Sequence, residues 1–268
     1  MRTLVPAIAG SRLLAKVFRH PIDVVPATLV LAVCAAQLVV FARVHDPLRV
    51  LAAVALLFPV QVNLAGMCHN HHHVNTFRTR LGNRAFEVVM FFQLGMLPYG
   101  YTLHHNIGHH RHYLDQMRDS NRWRRADGGA MGPWEFAWAL CLDMYPTVWR
   151  IGREHPGVFR KFRRMAWVCA GVLAALVAVD PVNALLVFVL PLPPALLLQA
   201  QATHWQHAGL DADEPVRASR SAVDRVYNLR TLNLGYHAAH HLRPALHWSE
   251  LPAFHAAIAD RIPPDLVG

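Results

Sequence analysis

Charged side chains are scarce in this chain. Asp, Glu, Lys and Arg make up 16% of the 268 residues, against 54% for the apolar set. That balance excludes a disordered polypeptide and does not fit an ordinary soluble domain. Cysteine is equally sparse. Cys34, Cys68, Cys141 and Cys169 lie far apart, mostly in apolar stretches, with no CxxC pair. No disulfide framework and no iron–sulfur centre of four closely spaced thiolates can be read from them, so they are packing residues. No Gly-rich dinucleotide fingerprint follows a strand. A convincing leader peptide is missing too. Arg12, Lys16, Arg19 and His20 interrupt any apolar core near the N-terminus, which reads instead as a basic arm resting on a membrane face.

The apolar residues are clumped into runs. Val24 to Ala42 carries no charge, and its nineteen residues span about 28 Å as a helix, close to a hydrocarbon core. A second run covers 48–68 with Pro59 inside, a third 166–179 and a fourth 182–203. Pro191, Pro193 and Pro194 predict a broken or strongly bent fourth helix. The pattern predicts an all-α integral membrane protein with four transmembrane helices in two hairpins. Its polar remainder, 69–165 and 204–268, forms a cap on one face, so that 1–268 is a single domain. The segment 69–165 holds fourteen Lys/Arg, the link at 43–49 two, and the turn at 180–181 none. Positive-inside asymmetry places both termini and the whole cap in the cytoplasm. It also accounts for the net charge of +9 without a nucleic-acid partner. Two further stretches, Phe86 to Leu103 and Trp134 to Trp149, hold carboxylates among apolar residues and are expected to lie in the interface rather than cross it.

Histidine is abundant. Fourteen of nineteen fall in four clusters: His69–His73, His104–His112, His204–His207 and His237–His241. Residues three and four apart share a helix face. His69 with His73, His105 with His109, and His237 with His240 and His241 can therefore each aim at one point. Imidazole is the commonest side-chain metal ligand and suits iron, zinc, copper and nickel. The isolated His20, His45, His155, His247 and His255 read as solvated or interfacial. His155-Pro156-Gly157 is followed by Val158, so it does not complete a haem-binding His-Pro-Gly-Gly. A metal held by neutral imidazoles keeps most of its positive charge and is a strong oxidant. In a membrane, the substrates for such a centre are acyl chains and alkanes, whose C–H bonds are unactivated.

The segment 233–252, Asn-Leu-Gly-Tyr-His-Ala-Ala-His-His-Leu-Arg-Pro-Ala-Leu-His-Trp-Ser-Glu-Leu-Pro, resembles the last histidine box of membrane fatty acid desaturases. His69–His73 is similar to their His-x3-His box, and His207, followed by Gly209, to their single late ligand. The resemblance covers about 69–252. It implies a four-helix anchor, a cytoplasmic cap and a non-haem di-iron centre that uses O2 and two external electrons to insert a double bond into an acyl-lipid or acyl-thioester chain. The ligand set it implies is His69, His73, His105, His109, His110, His207, His237, His240 and His241, with His72, His104, His112 and His204 next. Asp115 and Asp119 follow the second cluster closely and read either as acceptors of ring N–H bonds from ligands or as solvated surface carboxylates. Two features depart from the pattern. His105-Asn-Ile-Gly-His-His110 has three residues before the pair, as in membrane alkane hydroxylases, where most desaturases have two. Thr203 stands where relatives often carry Asn.

Two alternatives stand beside desaturation. One is a hydroxylase of alkanes or acyl chains on the same scaffold. The other is a metal transporter, against which 24–42 and 182–203 count because they hold no His, Asp or Glu. A separate ferredoxin, rubredoxin or cytochrome is expected as electron donor, steered to basic side chains such as Arg150, Arg153, Arg160, Lys161, Arg163 and Arg164. Trp123, Arg122, Arg124 and Arg125 are candidates to meet that donor or a lipid headgroup.

Overall fold

The computed structural model describes residues 8, 10–210 and 213–268; the regular structure among them is helical, and the helices are joined by turns and loops such as 110–132. Only isolated bridges, such as Phe18 with Phe77, stand outside the helices and turns. The chain divides into two compact units. One comprises the described residues up to Pro98 together with Met165–Ala195, the other Tyr99–Arg164 and Leu196–Gly268.

The first unit holds α1 (Val24–Arg43), α2 (Pro47–Asn63), α3 (Ala65–His73) and α4 (Arg80–Leu94). Asp46 caps α2 by accepting from the Arg49 N–H at 2.9 Å, with Pro47 pre-set for the first turn. The helix runs through Pro59 and is interrupted at Leu64, after which α3 carries the first histidine cluster. Helix α4 starts at the Thr79 cap and stops at Gly95, whose φ of 79° is the left-handed conformation that glycine adopts freely. The predicted interfacial stretch 86–103 is thus no single spanning helix. Fifteen residues of α4 rise about 22 Å, short of a bilayer core. In the basic arm, the Arg19 N–H donates to the Thr76 carbonyl and the Arg78 N–H to that of Val17, both at 2.9 Å.

Helix α6 (Pro156–Val179) extends ten residues earlier than the apolar run 166–179, through its basic N-terminal turns. The fourth run breaks at 189–191, around Pro191, into α7 (Pro181–Phe188) and α8 (Leu192–His207). Four stretches, Pro21–Arg43, Pro47–His73, Pro156–Val179 and Pro181–His207, are long and apolar enough to cross a membrane. Large apolar side chains on them face outward, among them Leu56 at 80% and Trp167 at 79% exposure, as lipid contact requires. Inside the first unit, Phe41, Val50, Val54, Phe92, Val187 and Phe188 pack together. Three buried glutamines tie helices across it: Gln37 donates to Gln61, Gln61 to the Gln93 carbonyl, and Gln93 to the Val30 carbonyl. Such bonds join helices where water cannot.

The second unit holds a π-helical segment (Thr102–His109), α5 (Pro133–Glu154), α9 (Arg225–Thr231), α10 (His237–Leu242) and α11 (Leu251–Ala257), with the adjoining parts of α6 and α8. Helix α5 is amphipathic as expected. Phe136, Met144 and Val148 are buried, while Trp134, Trp138, Leu142 and Trp149 are about half exposed or more. Helix α10 sits on a core of Ala238, Ala239, Leu251, Ile258, Ile262 and Leu266. Asn228 fixes the approach to it, donating to the Ala222 carbonyl and accepting from the Gly235 N–H. A Cβ at Gly235 would lie 2.2 Å from the Ala222 carbonyl oxygen, so only glycine allows that approach.

Candidate metal centre

The π-helical segment decides how the second histidine cluster works. Its backbone closes with the His110 N–H donating to the His105 carbonyl, a step of five residues rather than four. His105 and His110 therefore share a face, with their Nε2 atoms 3.0 Å apart. The α-helical expectation for His105 with His109 is corrected here. The extra residue between His105 and the pair is absorbed by the wider turn, and His109 points elsewhere. Gly108 permits this turn, since a Cβ there would lie 2.7 Å from Ile151 Cδ1 and 2.8 Å from Ser120 Oγ.

The last cluster divides in the same manner. His237 and His241, one α-helical turn apart, keep their Nε2 atoms within 3.2 Å. His240 turns away and sets its Nε2 3.1 Å from that of His110. The predicted convergence of all three α10 histidines is thus corrected to two targets. In the second unit one group comprises His105, His110 and His240. The other comprises His109, His207 and His241, whose candidate ligand atoms lie within 4.8 Å of one another, with His237 Nε2 2.9 Å from His207 Nε2. In the first unit, His69 and His73 stack with ring centroids 4.8 Å apart, as their spacing predicts.

These distances can be tested against a metal. Two imidazole nitrogens bound at about 2.0–2.1 Å lie about 2.9–3.4 Å apart for angles of 90–110°. The observed Nε2 pairs, 2.9 to 3.2 Å, fit that range. The outer nitrogens agree. His109 Nδ1 meets the Asp119 carboxylate at 2.8 Å, and His207 Nδ1 donates to the Ala218 carbonyl at 3.0 Å. Both rings then turn lone pairs inward, and the fully buried His109 Nε2 has no hydrogen-bond partner among the described residues. Burial, reinforced by the neighbouring imidazoles, holds His241 well below the usual imidazole range, in the neutral form that binds metal. Lone pairs converging in a buried site repel one another unless a cation lies between them.

Of the two readings, Asp119 takes the acceptor role, holding the His109 ring as a carboxylate does in carboxylate–histidine–metal sites. Asp115 does not; it accepts from the Met117 N–H in its own turn. His72 Nδ1 donates to the Cys68 carbonyl, and His204 Nε2 to that of Met131. His104 is buried and pushed down to about 4 by that burial, with its Nε2 unpartnered among the described residues. His112 is half-buried. None of these four joins either group. Thr203 donates its hydroxyl to the Gln199 carbonyl. One buried network went unread in the sequence. His71, on the face of α3 away from His69 and His73, meets Thr76 Oγ1 at 2.8 Å and Glu87 Oε1 at 3.3 Å, while Arg84 pairs with Glu87 at 2.6 Å. A carboxylate inside the apolar stretch after Phe86 was the available signal.

Four stretches apolar and long enough to cross a membrane, together with histidines grouped at metal-ligand spacing, point to a helical membrane protein with a metal centre. A family model described as fatty acid desaturase matches residues 46–267, and the chain belongs to that family. No curated protein and no solved structure matches the chain. Membership makes it an oxidoreductase-type protein of the desaturase and hydroxylase kind acting in a lipid setting.

Proposed function

We propose that the protein is an O2-dependent fatty acid desaturase with two irons per chain. His109, His207, His237 and His241 are assigned to one iron, and His105, His110 and His240 to the other. His69 and His73 are assigned as further ligands by their box spacing alone. The observation that carries this reading is the partition of seven histidines into two groups, each with the nitrogen spacing of a shared metal.

Bound iron would supply O2 reduction and the oxidising power to take hydrogen from an unactivated methylene. The protein's own residues set the conditions. Asp119 and the Ala218 carbonyl hold the rings of His109 and His207 in one tautomer, and burial keeps water from the cluster. Desaturation consumes one O2, two electrons and two protons, removes two hydrogens from adjacent methylenes and releases two waters. The four apolar stretches anchor the chain, with both termini and the histidine clusters on the cytoplasmic side. An acyl lipid or acyl thioester is the substrate, and a separate ferredoxin, rubredoxin or cytochrome supplies the electrons.

Hydroxylation is the second reading, favoured by the three-residue spacer in His105–His110. Lipid profiling of cells expressing the protein, against an empty-vector control, distinguishes the two. New double bonds support the desaturase, new hydroxyl groups replace it with the hydroxylase, and an unchanged profile under iron-replete conditions overturns both.

A further inference from the structure

The turns at 111–122 follow directly on the ligands His109 and His110. They present Arg111, Arg118 and Arg122 outward. None of these three has an ion pair among the described residues. Neighbouring cations differ. Arg125 is paired with Glu135, and Arg124 lies 4.5 Å over the Trp123 ring and donates to the Gly128 carbonyl. The single exposed carboxylate of the stretch, Asp115, is turned onto the Met117 N–H. Amid the three arginines stand two exposed apolar side chains, Met117 at 84% and Leu114 at 42%. The surface is held rigid from beneath. The Asp119 N–H donates to the Asp115 carbonyl at 2.8 Å, Ser120 Oγ to the His104 carbonyl at 2.7 Å, and the Trp123 N–H to Gln116 at 2.8 Å.

This surface is one ring away from the histidines. Tyr113, half-buried, packs its ring 4.4 Å from that of His241 and 6.2 Å from that of His109. Asp119 of the same turns carries His109.

We propose that this patch is the docking face for an acidic one-electron carrier protein, with Tyr113 as the ring between carrier and histidine cluster. The proposal rests on the oxidoreductase reading above. Unpaired cations around an apolar centre suit an acidic protein partner. The charges steer the encounter, and the flexible, polarisable Met117 supplies adaptable contact. A bilayer surface fits less well, because the exposed tryptophans that mark an interface lie on α5, α6 and α8, while Trp123 of this stretch is buried. In each encounter the reduced carrier gives up one electron and leaves oxidised. Two encounters supply the pair that O2 reduction consumes.

The test uses the full-length protein in discs of zwitterionic lipid. An acidic plant-type ferredoxin, an acidic rubredoxin and an acidic cytochrome b5 are titrated in separate arms, with Kd as the first readout. At least one should bind, more weakly as salt rises. The triple variant Arg111→Glu, Arg118→Glu, Arg122→Glu should raise that Kd on the order of tenfold and flatten its salt dependence. Reversing Arg160, Arg163 and Arg164 should change it less than about twofold. Tyr113→Ala should leave Kd unchanged but slow oxidation of the reduced carrier, and Tyr113→Phe should restore the rate. Binding by none of the carriers, or a Kd moved by the 160–164 reversal and not by the 111–122 reversal, overturns the docking face. So does a triple variant that keeps its Kd and instead loses affinity for anionic lipid added to the disc. A protein that binds its carrier through the patch yet oxidises no lipid keeps the docking face and overturns the desaturase reading.

Discussion

The histidines at 69–73 and those at 105–110 reach similar ring pairings on two different backbones. In α3 a four-residue step sets His69 and His73 at 4.8 Å between centroids. In the π-helical segment a five-residue step sets His105 and His110 at 4.6 Å, and the intervening His109 turns to the other group. A histidine spacing therefore has geometric meaning only once the backbone period is known. The wider turn also lets one short segment send histidines to two groups, which α3 does not do.

The largest expected effect comes from disturbing the two periods. Inserting one alanine between Asn70 and His71 rotates His73 by about 100° relative to His69. Iron content and lipid oxidation should both collapse. Deleting Asn106 shortens the other step to four residues, which an ordinary α turn can serve. That variant should keep most of its iron by elemental analysis. Equal loss in both variants breaks the comparison.

Next come the ligands themselves. His240→Ala and His241→Ala each strike a different group, so each should lower iron from about two per chain to about one, while the chain stays in the membrane. Loss of all the iron in either variant would show that the groups are not separate sites.

A smaller effect is expected beyond the ligands. Asp119→Asn should weaken metal binding about 10–100-fold in a competition titration, because His109 loses the carboxylate that sets its tautomer. Asp115→Asn should leave it unchanged. The smallest effect is on stability. Gly108→Ala should cost about 1–3 kcal/mol by crowding Ile151 and Ser120, seen as a lowered Tm. Gly157→Ala, with open space around it, should not lower Tm.

Much of this could be read from residue order. The apolar runs located the four stretches able to cross a membrane, and Pro191 marked the break at 189–191. The His69–His73 and His237–His241 pairs followed α-helical spacing. Asp119 was visible as a carboxylate ten residues after His109. Asp115 looked equivalent in sequence, and only the turn that directs it to Met117 separates the two. His71 and Glu87 were hidden because their link spans sixteen residues and two helices.

Residue order alone determined which segments are apolar enough to enter a membrane and which residue types are available as ligands, because hydropathy and ligand chemistry are properties of side chains. The tertiary structure decided which histidine faces which. It placed His207 against His237 thirty residues away, and His110 against His240 across 130 residues. It also chose the π turn over the α turn. Both choices depend on packing, since only glycine fits at 108 against Ile151 and Ser120, and α10 is oriented by its seat on Leu251, Ile258 and Ile262 and by the Ser221 hydroxyl that accepts from the Ala238 N–H.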